Sequence, residues 1–219
     1  MNPTSSPQSR PDASPLVRMD DPGLWDRAKD VLDRGQCVVF PTDTVYGIAA
    51  SPDNPIAVAR LQQVKGRSDA FPPPVLVADA EDAWSLALSV PVEARRLGEA
   101  FWPGALTLVL PTDRHLSLAG QTGTIGVRVP DHDGVRGLLR FVGPLAVSSA
   151  NKHERPPATT VAEAMGQLGD EVGLYIDGGP TPGPSPSTVV DCSGPAMAVL
   201  RLGLLSKHQI FAAAGAADA

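Results

Sequence analysis

The sequence predicts an α/β fold: a twisted mixed or parallel sheet flanked by helices. Two observations carry this expectation. Apolar runs of four to six residues alternate along the chain with segments whose apolar residues recur at helical spacing. With 42% hydrophobic and 19% charged residues, a chain of 219 residues can also bury a sizeable core.

Residues 1–15 are rich in Pro and Ser and offer nothing to bury, so they read as a disordered N-terminal tail. One folded domain is expected over 16–208, followed by a C-terminal tail over 209–219 ending in AAAGAADA. The first helix should be capped by Asp21, take Pro22 in its first turn, bury Leu24, Ala28, Val31 and Leu32, and stop at Gly35. The strand CVVF follows at once. A second helix runs from the cap Asn54 and Pro55 through Ile56, Ala59 and Val64 to Gly66, which leaves PTDTVYGIAASPD as a long connection. Further strands are expected at 75–78, 106–110, 125–129, 145–149, 188–191 and 198–201. Helices are expected at 80–89, 91–101, 134–141 and 160–168.

Composition also excludes classes of function. A formal charge of −6 and a pI near 5.1 oppose holding nucleic acid by phosphate neutralisation alone. Cys37 and Cys192 lie in apolar runs without metal-type spacing, so they read as buried free thiols in a reducing compartment. The N-terminus lacks an apolar signal region and no stretch is long enough to span a membrane, so a cytoplasmic protein is expected. P-loop, GxGxxG, HExxH, paired-cysteine and GxSxG patterns are absent from the sequence. His115, His132, His153 and His208 are scattered and read as surface residues.

Polar residues gather where strands stop, the usual position of a crevice in an open α/β sheet. PTDTVYG sets Thr42, Asp43, Thr44 and Tyr46 after CVVF: hydroxyls and a carboxylate suited to an amino acid's ammonium and side chain, or to an ordinary hydroxyl-closed turn. In KGRSD, Lys65 and Arg67 end a helix, as a solvated cap does, yet a point charge beside a fork also suits a phosphate chain. Arg128 in TIGVRVP alternates with Ile125, Val127 and Val129, so it faces away from them and needs either a ligand carboxylate or an internal Asp or Glu. Ser148, Ser149 and Asn151 end a strand in AVSSAN, as turn residues or as holders of phosphate and base edges. STVVD and LRLG contribute Ser187, Thr188 and Arg201 beyond DGGPTPGPSP, which reads as a flap.

In this order, FPTDTVYGIA, KGRSD with PVLV after it, FWPGALTLVL, GTIGVRVP, AVSSAN, STVVD and LRLG resemble the YrdC/Sua5 family of L-threonylcarbamoyladenylate synthases. The resemblance covers residues 24–205 and the length suits the short, single-domain form. It implies a concave, positively lined cavity in a YrdC-like catalytic domain. It also implies a reaction of L-threonine, bicarbonate and ATP, with Mg2+, to threonylcarbamoyl-AMP and pyrophosphate. A separate transferase complex would then carry the group to the adenosine beside the anticodon, with direct tRNA binding by this chain weak or absent. By matching position, Thr44, Tyr46, Arg128, Ser149 and Ser187 should form the threonine pocket. Lys65, Arg67, Thr124, Asn151, Thr159 and Arg201 should meet ATP, with Lys65 and Arg67 as the catalytic pair and no protein-bound metal or organic cofactor. Two stretches depart from the family: KHERPP puts His153 and Glu154 where a Ser-Gly pair usually follows SSAN, and SDAFPPP carries Phe71 where many members are polar or basic. Those departures keep in view a specialised relative that carbamoylates or adenylates another small molecule, and a non-catalytic RNA-binding module is a separate alternative.

Overall fold

The computed structural model describes residues 15–66, 72–114, 116, 118 and 123–215. The expected N-terminal tail lies, up to residue 14, outside them. In chain order the elements are β1 (Leu16–Arg18), α1 (Leu24–Asp33), β2 (Val38–Phe40), β3 (Gly47–Ala50), α2 (Pro55–Lys65), β4 (Val75–Leu76), α3 (Ala80–Ser85), α4 (Val92–Phe101) and β5 (Leu106–Pro111). They continue with β6 (Thr124–Arg128), α5 (Asp133–Val142), β7 (Leu145–Ser149), α6 (Val161–Leu168), β8 (Leu174–Asp177), β9 (Thr188–Asp191), β10 (Ala198–Arg201) and α7 (Lys207–Ala214). All ten strands form one mixed sheet in the order β1, β8, β2, β3, β7, β4, β6, β5, β9, β10.

Several local expectations are corrected. Asp21 does not cap α1; its carboxylate accepts Arg18 N–H at 2.8 Å, and the helix starts after Gly23 at φ 76°. Asn54 does cap α2, accepting from Ile56 and Ala57, and Gly66 ends the helix at φ 66°. Its buried face is Ala57, Val58, Leu61, Val64 and Lys65, so of the expected stripe Val64 is buried whereas Ala59 is exposed and Ile56 is 74% exposed. The long connection after CVVF is interrupted by β3, a strand of small residues. A Cβ on Gly47 would stand 2.7 Å from Val147 Cγ1, so close packing on β7 requires glycine there. The tail expected from residue 209 is instead α7 through Ala214. Ser206 and Gln209 form a capping box, Ile210 and Ala214 pack into the core beside Ala94 and Leu97, and Arg96 donates to Ala214 O.

Period-two alternation distributes side chains between cores on the two faces of the sheet. In β2, Val38 and Phe40 enter the core with α1 and α5, while Val39 joins Tyr46, Ile48 and Tyr175 in the core with α2 and α6. In β6, Ile125 and Val127 enter a third core beside Leu106, Leu108 and Leu110 of β5. Thr124, Gly126 and Arg128 therefore share the opposite face of β6, and Thr107 takes the corresponding face of β5. That half-covered face is where function can be built. Cys37 and Cys192 are free and buried, and burial pushes both thiols up to about 12. Among the described residues, no helix is long and apolar enough to cross a membrane.

Candidate functional site

The loop of residues 41–46 is organised by hydroxyls. Thr42 Oγ1 accepts from the amides of Thr44 and Val45 and donates to Val45 O at 2.7 Å. Thr44 Oγ1 lies 2.9 Å from Thr42 Oγ1 and accepts from Arg128 Nη1 at 3.2 Å. A directed chain thus runs from the guanidinium through Thr44 and Thr42 to the Val45 carbonyl. The turn reading and the functional reading of this motif are both realised, because the turn is what presents Thr44 to Arg128.

Arg128 is buried, with 6% exposure, and its alternation opposite Ile125 and Val127 turns it onto the half-covered face. Nη2 donates to Asp43 Oδ1 at 2.6 Å and Nε donates to Gly104 O at 3.0 Å. Burial lowers its pKa, Asp43 opposes that by stabilising the cation, and the charge of Arg201 lowers it further. Two guanidinium groups from different strands therefore share one electrostatic neighbourhood. Arg201 itself donates from Nη2 to Ser187 O at 3.0 Å and Ser187 Oγ at 3.2 Å, and Ser187 Oγ is 2.9 Å from Thr107 Oγ1.

Lys65 overturns its solvated-cap reading. It is 2% exposed, and Nζ donates to Ser149 O at 2.6 Å and Asn151 O at 3.1 Å. The α2 C-terminus thereby holds the end of β7. Asn151, 8% exposed, donates from Nδ2 to Lys152 O and Arg155 O, which fixes the amide and leaves its buried Oδ1 without a partner among the described residues. An acceptor so placed favours a donor from a bound molecule.

The remaining residues separate. Tyr46 has no exposed surface; its hydroxyl donates to Gly179 O at 2.7 Å, so it anchors the Gly/Pro loop rather than lining an open pocket. Thr159 gives its amide and hydroxyl to Glu163, and its carbonyl accepts from Thr181 N at 2.9 Å. The expected flap is therefore tied at Gly179 and at Thr181. Thr124 stands at the start of β6, partly exposed. Arg67, with Phe71 and His115, lies outside the described residues.

Strand register relates the two ends of this arrangement. Ser149 pairs with Gly47, but Leu145, at the other end of β7, pairs with Leu76, whose parallel partner is Arg128. Lys65 and Arg128 thus belong to opposite ends of the central strands, and the loop from Thr42 to Tyr46 crosses between them. Tyr46 O accepts from Ala150 N at 2.8 Å where the loop arrives. A cleft of about 460 Å3, the size of a small-molecule site, opens against Asp43 and Gly104, with Thr42, Asp131, His132, Thr181 and Leu204 also on its wall. The expected basic lining is not what this cleft shows: two carboxylates face it, and Arg128 stands behind Asp43.

Residues 30–203 match the Sua5/YciO/YrdC family model, described as telomere recombination. The chain belongs to this family. A Mycobacterium tuberculosis protein is 44% identical over 185 residues, covering 84% of this chain and 85% of the relative. The Bacillus subtilis relative named threonylcarbamoyl-AMP synthase is 37% identical over 193 residues; the match takes in 86% of this chain but 56% of that protein. Among solved structures, Pyrococcus abyssi Sua5 complexed with L-threonine superposes with a TM-score of 0.83 at 33% identity over 90% of this chain, which spans 59% of the Sua5 chain. Escherichia coli YciO, at 24% identity and a TM-score of 0.79, shows the same fold.

Within this Sua5/YciO/YrdC fold, the sequence named Lys65, Ser149 and Asn151 as parts of one cavity without revealing that Lys65 bonds the carbonyls of the other two. Asp43 was read in PTDTVYG as a carboxylate suited to an amino acid's ammonium, but was not among the residues that the resemblance placed in the threonine pocket. Thr107 was missed altogether, although a threonine inside the apolar run LTLVL is the signal that could have found it.

Proposed function

We propose that this chain is an ATP-dependent L-threonylcarbamoyladenylate synthase. In this reading it converts L-threonine, bicarbonate and ATP to threonylcarbamoyl-AMP and pyrophosphate for a tRNA-modifying transferase. One observation carries the reading: the hydroxyl-braced loop that meets the buried Arg128 also bonds, through Tyr46 O, the end of β7, where the buried Lys65 grips Ser149 O and Asn151 O and the Asn151 carboxamide oxygen lacks a partner among the described residues. Arg128 commits three of its N–H groups to protein acceptors, and a guanidinium has about five, so donors remain for a substrate carboxylate. Thr44, Ser149 and Ser187 complete the threonine side, with Tyr46 acting through Gly179. Lys65, Arg67, Thr124, Asn151, Thr159 and Arg201 serve the nucleotide side.

The carbamate oxygen of the carbamoylated threonine attacks the α-phosphorus, and the bond to the bridging oxygen of pyrophosphate breaks. Positioning and charge neutralisation supply the catalysis, chiefly from Lys65 and Arg67. Mg2+ arrives with the triphosphate as part of the substrate. An enzyme nucleophile is not required, and the two cysteine thiols, buried and pushed up to about 12, are unsuited to be one.

The test is incubation of the full chain with Mg-ATP and bicarbonate, with and without L-threonine. Pyrophosphate release should require threonine and accompany a product with the mass of threonylcarbamoyl-AMP. Threonine-independent release, or salt-sensitive tRNA binding with no turnover, would set this reading aside.

A further inference from the structure

Thr107 and Ser187 together hold one hydroxyl proton for which no described residue supplies an acceptor. Thr107 is 2% exposed on β5, and strand alternation turns it away from the core that takes Leu106, Leu108 and Leu110. Its methyl packs toward β6, where a Cβ added to Gly126 would stand 3.7 Å from Thr107 Cγ2. The branched side chain is thereby held in one orientation, with its hydroxyl 2.9 Å from Ser187 Oγ. Two hydroxyls carry two protons, and the bond between them uses one. Arg201 Nη2 donates to Ser187 Oγ at 3.2 Å, so that oxygen already accepts once. Neither hydroxyl makes a further bond among the described residues, and the second proton is left over.

Position decides which hydroxyl keeps that proton. Thr107 is enclosed within a strand, whereas Ser187 precedes β9 and carries the exposed Arg201 on its own oxygen atoms. The backbone on either side of Ser187 is bonded to the cleft wall: Thr188 N donates to Ala105 O, and Leu204 N donates to Pro186 O. When Thr107 donates, Ser187 Oγ has both lone pairs filled, by Thr107 and by Arg201, and its own proton can only be given outward. Arg201 has the same surplus. Its bonds from Nε and Nη2 all go to Ser187, which leaves Nη1 without an acceptor and the charge without a carboxylate among the described residues. A hydroxyl donor beside an unpaired guanidinium matches an oxygen that carries negative charge and no proton.

We infer that Thr107 is a positioning residue that makes Ser187 an obligate hydrogen-bond donor, so that Ser187 and Arg201 together receive an anionic oxygen of a substrate. The inference rests on the proposed function, in which both residues meet substrate, and adds the group that orients them from behind. A carboxylate of threonine and a phosphate of ATP share the chemistry this pair recognises, and titration with each tells them apart.

The test is calorimetric titration of the full chain with L-threonine and, separately, with the magnesium complex of an ATP analogue whose α,β bridge is methylene. Thr107→Val keeps the side-chain shape, and it should weaken at least one of the two ligands about tenfold. Loss on threonine assigns the oxygen to the carboxylate, and loss on the analogue assigns it to a phosphate. Thr107→Ser keeps the hydroxyl and should bind within about twofold of wild type, although losing the methyl contact at Gly126 lowers its resistance to urea. In a Ser187→Ala protein, adding Thr107→Val should weaken binding no further. Thr107→Ser binding as poorly as Thr107→Val would mean that Thr107 only fills space, and would overturn the inference. Unchanged affinity for both ligands in Thr107→Val, or additive losses in the double variant, would overturn it as well. If wild type releases no threonine-dependent pyrophosphate but binds either ligand with this dependence on Thr107, the proposed function fails and the inference stands. Wild type that binds neither ligand overturns the inference.

Discussion

Lys65 and Arg128 belong to opposite ends of the central strands, and the protein holds them by different means. Lys65 leaves the last turn of α2 and is gripped by the main-chain carbonyls of Ser149 and Asn151. Arg128 leaves a strand and is met by a carboxylate, a hydroxyl and a carbonyl. A compact ammonium accepts a cage of carbonyls from any direction, whereas a planar fork needs acceptors in its own plane. The lesson is that backbone shape fixes one cation and side-chain chemistry the other, so substitutions should separate them.

The largest effect is expected at Arg128. Arg128→Met would leave the Asp43 carboxylate largely buried without its cation, which typically costs about 3–5 kcal/mol. Urea denaturation should register that loss, and pyrophosphate release should disappear with it. A loss below about 1 kcal/mol would mean that water replaces the guanidinium, and the contrast between the two ends would vanish.

Lys65→Met is expected to divide stability from activity. The substitution removes a buried charge while keeping most of the side-chain volume, but it takes the donor from Ser149 O and Asn151 O, so stability should fall by about 1–3 kcal/mol, less than for Arg128→Met. Threonine-dependent pyrophosphate release should nevertheless fall about a hundredfold or more, because the charge we propose for the phosphates is lost. Wild-type turnover in a folded Lys65→Met protein would remove Lys65 from the site.

This division follows what could be read from the sequence. The strands with Val, Ile and Leu runs, namely β2, β4, β5, β6, β7 and β9, were legible because apolar residues there signal burial directly, and β10 was expected on the same pattern although Leu200 in it is 58% exposed. β3 was not, since GIAA has little β propensity and exists as a strand because β2 and β7 flank it. β1 and β8 were also missed: β1 is a three-residue edge strand, whereas LYI in β8 is a buried apolar run whose signal was there to be read. At the site, Arg128 was legible from alternation, but the choice between a ligand carboxylate and an internal one needed the register that brings Asp43 to it. Lys65 was misread as solvated because the carbonyls that bury it belong to residues 84 and 86 positions further along. Distances in the chain hide such cages, since any residue can supply a carbonyl.

Tyr46 lies between the two ends and should give a smaller effect. Burial raises its phenol from an ordinary value near 10 to about 12, with the hydrogen bond to Gly179 O made by the neutral form. A group whose pKa is higher folded than unfolded adds stability that is complete below the unfolded value, near 10, and is lost as pH climbs toward 12. Urea denaturation of Tyr46→Phe should show a loss of about 1 kcal/mol near neutrality and a shallower decline than wild type in the alkaline range. Tyr175, raised in the same direction by burial, keeps some alkaline sensitivity in the variant.

The smallest effect is expected in KHERPP, at the Lys65 end. Glu154 is the one non-glycine residue at positive φ among the described residues, at 61°, and it stands where the resemblance implies a glycine. The loop keeps this backbone because Asn151 Nδ2 ties Lys152 O and Arg155 O, and His153 N donates to Lys65 O. A left-handed side chain costs about 1–2 kcal/mol, while glycine forfeits about 1 kcal/mol through the freer unfolded chain. Glu154→Gly should therefore stabilise the protein by about 1 kcal/mol or less and leave ATP affinity unchanged, as read by denaturation and nucleotide titration. That outcome would mean that the departure from the family altered side chains while preserving the glycine-shaped main chain around Asn151. A changed ATP affinity would instead make the Glu154 carboxylate part of the nucleotide side, and the carbonyl-held end of the site would then depend on side-chain charge as the Arg128 end does.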